Sequence, residues 1–336
     1  MRKGILFCIL VLAPLVFAEK IAVLPEVGKP SMMALDADRL YVTEGATIYV
    51  YSRPDYKLVR RFGTSGEGPR EFKVSPFGVP LFVDARKDGV FISSDSKISR
   101  FTRDGEFIRE ERVPPMMVYR PFSGGYVATA AEGTDDGRMV LSVNLYDDSF
   151  QKKKTLYRSD VEVGPNASFD YPMNSFSYEM VEDRIFVVAG KDGFALEVFD
   201  ARGEKLYRIE KKTERIPVTA EYKKKTLDWF KNDPNWGRLW EYFRNRFHFK
   251  DYFPPIQDIA VEKGRIYVLT HRRDKEKAEI QVLDLKGKQL GRHWIPLPRV
   301  YGMDFMPKYR IFNSRIFVLQ ENEDEEEWEL HAYSLK

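Results

Sequence analysis

The chain has 336 residues, 43% of them hydrophobic and 14% aromatic, with 54 basic against 51 acidic residues. That is enough apolar material for a large packed core, and repeating all-β folds of this length form one unit. The near balance of charge argues against nucleic acid, which demands a clear basic excess on one face; the short basic runs Lys152–Lys154 and Lys223–Lys225 read as solvated faces.

Arg2 and Lys3 precede an apolar run, Ile5 to Phe17, that is too short for a spanning helix and ends in Val16-Phe17-Ala18. This pattern predicts a secretory signal over residues 1–18, cleaved after Ala18. The remainder, 19–336, is then exported to the periplasm or cell exterior with no transmembrane span; the alternative is a signal kept as an anchor. Cys8 is the only cysteine and lies inside the apolar run, which argues against lipidation. The remainder then has no thiol, which excludes a cysteine nucleophile, disulfides and cysteine-ligated zinc.

From residue 19 onward one phrase recurs: an apolar run, a turn, and three alternating runs separated by polar turns. The clearest copies begin DRLYVTEG, DGVFISSD, DRIFVVAG, GRIYVLTH and SRIFVLQEN, with a weaker one at GGYVATAAE. The opening runs are SMMALDA, FGVPLFVDA, PMMVYRP, NSFSYEM, IQDIAVE and VYGMDFM. Four short strands per unit, rich in Val, Ile, Tyr and Phe, repeated six times at roughly 40 to 50 residues, predict an all-β six-bladed β-propeller. The final copy stops one strand short at Lys336, and Lys20–Leu24 is expected to supply that strand and close the ring.

Between the fourth and fifth copies, over 219–253, the strand period vanishes. Thr219 can cap a helix from Ala220, and Asp233-Pro234 reads as the cap and first turn of a second helix. Trp236, Leu239, Trp240, Phe243 and Phe247 recur at three- and four-residue steps, predicting one aromatic helical face. It is expected to pack on the propeller rim, beside the channel mouth.

Phe62-Gly63-Thr64-Ser65-Gly66-Glu67-Gly68-Pro69-Arg70-Glu71-Phe72 resembles the "FGxxGxGPgEF" signature of the NHL-like six-bladed propellers of bacteria, with Arg70 where glycine is frequent. Tyr252-Phe253-Pro254-Pro255-Ile256 resembles the end of that family's helical insertion. The resemblance spans essentially all of 19–336 and implies the fold and an exported bacterial setting; it implies little about activity. The glycines themselves permit positive-φ turns and Pro69 stiffens the exit. No helix follows, as a phosphate loop would require.

Chemistry-bearing motifs are few. His248, His271, His293 and His331 show no metal-ligand spacing, and no Gly-x-Ser-x-Gly elbow is present. The acidic stretch Glu321 to Glu329 lacks a calcium-loop pattern and reads as a solvated, edge-protecting turn. The sequon Asn166-Ala167-Ser168 matters only in a eukaryotic secretory path. The expectation is therefore a non-catalytic binding or scaffold propeller without cofactor or metal. Its partner is a carbohydrate, a peptide, a small anion or an envelope protein. Position near blade junctions or in the insertion selects Arg70, Arg120, Tyr171, Trp236, Tyr252, His271, Arg272 and Tyr301 as mouth residues. The alternative is a metal-dependent channel-top enzyme, lactonase- or lyase-like, with ligands gathered from several blades.

Overall fold

A computed structural model describes residues 19–73, 81–114, 117–163, 167–303 and 308–336. The signal segment, Asn166 of the sequon, and parts of the second, third and sixth opening runs lie outside these residues.

Six four-stranded antiparallel sheets make the blades, each stepping outward from the channel. Blade 1 is Met32–Leu35, Arg39–Glu44, Thr47–Ser52 and Leu58–Phe62. Blade 2 is Phe82–Arg86, Gly89–Ser94, Lys97–Phe101 and Phe107–Arg112. Blade 3 is Val118–Phe122, Gly125–Gly133, Met139–Tyr146 and Lys152–Val163. Blade 4 is Tyr178–Val181, Arg184–Val188, Phe194–Asp200 and Lys205–Lys211. Blade 5 is Asp258–Glu262, Arg265–Asp274, Lys277–Asp284 and Gln289–Pro296. Blade 6 is Tyr309–Phe312, Arg315–Asn322, Glu327–Ser334 and, from the other end of the chain, Glu19–Val23.

The second strand of each blade explains the recurring apolar runs. Side chains alternate across a strand, so a run apolar at every position needs cover on both faces. In blade 4, Ile185 and Val187 pack with Val127 and Val143 of blade 3. Phe186 and Val188, one residue out of phase, pack with Ile266 and Val268 of blade 5. Tyr267 and Leu269 of blade 5 then meet Ile316 and Val318 of blade 6, whose Phe317 and Leu319 meet Leu40 and Val42 of blade 1. Ile48 of blade 1 joins Ile92 of blade 2, and Phe91 of blade 2 joins Tyr119 of blade 3. Six inter-blade cores complete the circle.

The closing strand pairs antiparallel with Glu327–Ser334, with Glu19 opposite Ala332 and Val23 opposite Glu329. The Leu24 N–H donates to the Trp328 carbonyl at 2.8 Å and the Trp328 indole to the Gly28 carbonyl at 3.0 Å. Glu329 is more than a solvated turn residue. It accepts from Lys20, His331 and Asn322, and the Lys20 and His331 bonds hold its carboxyl down at about 2.

The sixth opening run is corrected by the structure. The innermost strand of blade 6 is Tyr309–Phe312, beyond the expected VYGMDFM stretch. Gly302 has φ +63°, which breaks the extended run, and a Cβ there would lie 1.8 Å from the Trp229 ring.

The insertion contains helix α1 (Ala220–Asn232) and helix α2 (Trp236–Phe243). The Thr219 hydroxyl accepts from the Tyr222 N–H at 3.2 Å, capping α1. α2 starts after Pro234, because Asp233 is already the C-cap of α1; its carboxylate accepts from the Asn235 and Trp236 N–H groups, both at 2.9 Å. Phe247 is not helical. It opens a short strand, Phe247–Phe249, that pairs in parallel with Phe169–Tyr171. The aromatic face closes on fully buried Phe230 of α1, whose ring lies 5.8, 5.5 and 5.1 Å from those of Trp236, Phe243 and Phe247. Among the described residues no helix is long and apolar enough to cross a membrane.

If inter-blade burial holds the ring, Phe186→Ala should cost about 3–5 kcal/mol. Leu206→Ala, on an outermost strand where Leu206 is 48% exposed, should cost under about 0.5 kcal/mol. Urea unfolding of both variants checks the contrast.

Candidate functional site

Several charged residues of the innermost strands come together at the channel. Arg120, central in the first strand of blade 3, spans three blades. Its guanidinium donates to Asp84 of blade 2 at 3.3 Å, and to Glu179 at 3.0 Å and the Tyr178 carbonyl at 3.2 Å in blade 4. It also lies over the Phe82 and Tyr178 rings. Burial works against its charge, but Glu179 and Asp84 outweigh that and raise its pKa. Opposite, Asp258 of blade 5 accepts from Ser177 and Tyr309, both at 2.7 Å, and from the Ile259 N–H at 2.9 Å. Burial, then Asp258, pushes the Tyr309 hydroxyl well above its ordinary pKa. Burial lowers the neighbouring Arg310, against the pull of Glu179 and Asp258.

From this floor a cavity of about 470 Å³ extends to the connections that enter blades 4 and 6. Side chains of blades 2 to 6 line it, joined by the 171–177 connection, by Tyr222 of α1 and by Arg299 and Val300. The Tyr171 hydroxyl donates to the Gly302 carbonyl at 3.0 Å and lies 3.1 Å from the Tyr222 hydroxyl, which ties the insertion to the entries of blades 4 and 6.

His271 and Arg273 sit on one strand of blade 5, where its pairing with the next strand is irregular between Leu269 and Arg273, and both line the cavity. The His271 ring stacks on Phe253 at 4.7 Å. Burial, reinforced by Arg273 and Arg299, lowers its pKa to about 3, so it is neutral at physiological pH. Arg273 donates to the carbonyls of Leu297 and Pro298. The Arg299 guanidinium lies 5.7 Å from the centres of both the Tyr222 and Phe253 rings. Burial and Arg299 hold Arg273 down at about 10.

Of the residues singled out from sequence, Arg120, Tyr171 and His271 line this cavity and the other five do not. Arg272 does not line the cavity and pairs instead with Glu214 at 2.9 Å. Tyr301 packs behind the wall, its ring 5.2 Å from that of Tyr222. Trp236 belongs to the core of the insertion. Tyr252 lies under the Arg215 guanidinium at 3.8 Å. Arg70 covers the Phe107 ring from the junction of blades 1 and 2. Its φ is +63°, the physical reason glycine suits that place in the signature it resembles.

Sequence reasoning missed Glu179, Tyr222, Asp258, Arg273, Arg299, Tyr309 and Arg310. The available signal was a charge inside an opening run, as in NSFSYEM and IQDIAVE. Misplacing the last opening run hid Tyr309 and Arg310. Among the described residues no three of His, Cys, Asp and Glu come together as metal ligands do.

No protein-family model and no curated protein matches the chain. Among solved structures it is similar to a luciferin-regenerating enzyme, with 10% identity over 95% of each chain and a TM-score of 0.48. It is also similar to the WD40 domain of Neurospora crassa Pan2, with 10% identity over 94% of this chain and 95% of that one, and a TM-score of 0.45.

His271 gives the site a pH signature. Its folded pKa is depressed, so the unfolded chain takes up the proton first as pH falls. Its share of stability is present above pH 6.5 and is lost between there and about pH 3. The slope is at most about 1.4 kcal/mol per pH unit. In urea titrations across this range, His271→Gln should fall less steeply than the parent; parallel curves would show that His271 is not held neutral.

Proposed function

We propose that this chain is an exported, non-catalytic binding propeller of the NHL-like kind, which holds a small ligand at the channel mouth beneath its helical insertion. One observation carries the reading: the cavity of about 470 Å³ between the inner strands and the insertion. A volume of this order suits a drug-sized molecule. Its walls are largely apolar and aromatic, with a few polar groups that can orient what enters. The carboxylates of the floor are occupied within the protein: Asp84 and Glu179 by Arg120, Asp258 by Ser177 and Tyr309. This favours binding over the alternative of a metal-dependent enzyme at the channel top. Export is supported by the basic start, apolar run and Ala18 of the N-terminal segment.

A thermal-shift screen of small metabolites tests the proposal, run in parallel on Leu141→Trp, which fills the cavity from blade 3. Compounds that raise the melting temperature of the parent by several degrees should leave the folded variant unmoved. Shifts that survive in Leu141→Trp would place binding elsewhere. A response to calcium or zinc alone would favour the metal-enzyme reading.

A further inference from the structure

The floor and the mouth of the channel treat charge differently. On the floor each arginine has acidic groups nearby: Arg120 has Asp84 and Glu179, and Arg310 feels Glu179 and Asp258. At the mouth, Arg273 and Arg299 line the same cavity, and neither has an ion pair with a described Asp or Glu. Arg273 is steadied by two backbone carbonyls, and Arg299 by the faces of two aromatic rings. These contacts position the guanidinium groups without a carboxylate in direct contact; Glu276 and Glu221 act on Arg273 and Arg299 only from a distance. Two partly desolvated like charges held near each other destabilise a fold; the pKa of Arg273 is lowered first by burial and then by Arg299. An anion between the two guanidinium groups would relieve their repulsion.

We propose that the ligand of this cavity is an amphipathic anion, with a carboxylate or phosphate head held by Arg273 and Arg299 and an apolar body lying along Val118, Leu141, Val161 and Phe176. This deepens the binding-site reading given above and rests on it. Guanidinium groups match carboxylate and phosphate oxygens in pairs, which makes arginine suited to such a head. His271 adds a ring N–H without adding a third positive charge. The four apolar residues come from blade 3 and from the connection into blade 4, whereas Arg273 belongs to blade 5 and Arg299 to the connection from blade 5 to blade 6.

The test uses decanoate, decyl phosphate and decanamide, each below its micelle-forming concentration, with acetate as a head without a body. Binding is read by thermal shift and by isothermal titration on the parent, Arg299→Gln, Arg299→Lys and Leu141→Trp. Decanoate or decyl phosphate should bind at least about tenfold more tightly than decanamide and acetate, and whichever binds better identifies the head. Arg299→Gln should lose that preference while melting, without ligand, no lower than the parent; Arg299→Lys should regain part of it. Decanamide binding as well as decanoate, with Leu141→Trp blocking both, would overturn the anionic head and leave the binding cavity standing. An acid preference unchanged in Arg299→Gln would also overturn it. Failure of all three decyl compounds overturns the proposal; if the metabolite screen is silent as well, the binding-site reading falls with it.

Discussion

The second strand of every blade is apolar on both faces, and this decides the architecture. Ile185 and Val187 look one way around the ring; Phe186 and Val188 look the other. A blade by itself would expose both of these faces to water, losing about 1.5–3 kcal/mol for each large side chain left uncovered. No blade can therefore be satisfied without a neighbour on each side, and the last must find the first. Segments from opposite parts of the sequence meet in one sheet, where Glu19–Val23 adds the outermost strand of blade 6 and shields a free edge. The Glu329 cluster secures that strand by charge-assisted hydrogen bonds.

Closing the ring creates a channel lined by strands from every blade, so residues remote in sequence become neighbours. Arg120 joins blades 2, 3 and 4, and the Asp258 carboxylate joins blades 5 and 6 through Tyr309. These internal pairs neutralise the floor. The mouth is built differently, because aromatic rings and carbonyls, not carboxylates, make the direct contacts of its arginines. Elsewhere local preference and global fold agree, so a place where the scaffold retains repulsion is where function is sought.

The insertion is anchored through small and aromatic residues. Trp229 fills the space left by the missing Cβ of Gly302, and Phe230 gathers the rings of α2 and of the parallel strand. The glycine-rich stretch from Phe62 to Phe72, the most specific motif in the sequence, serves packing. A Cβ at Gly63 would lie 2.4 Å from the Ala46 carbonyl oxygen, and the Gly68 N–H donates to Glu71 at 2.8 Å.

The sequence by itself determined the number of blades, the position of the insertion and the strand that closes the ring. Each of these follows from short-range alternation, turn chemistry and one copy that lacks a strand. It also marked Arg120, Tyr171 and His271 as residues near blade junctions. It did not distinguish Arg272 from Arg273, because that choice depends on which face of the strand meets the channel. Nor did it expose Arg299, Tyr309 or Arg310, whose surroundings come from other blades and from α1. Only the tertiary structure decided which charges meet a carboxylate directly and which do not, because compensation of charge acts through space between residues as remote in sequence as Lys20 and Glu329 and leaves no local pattern.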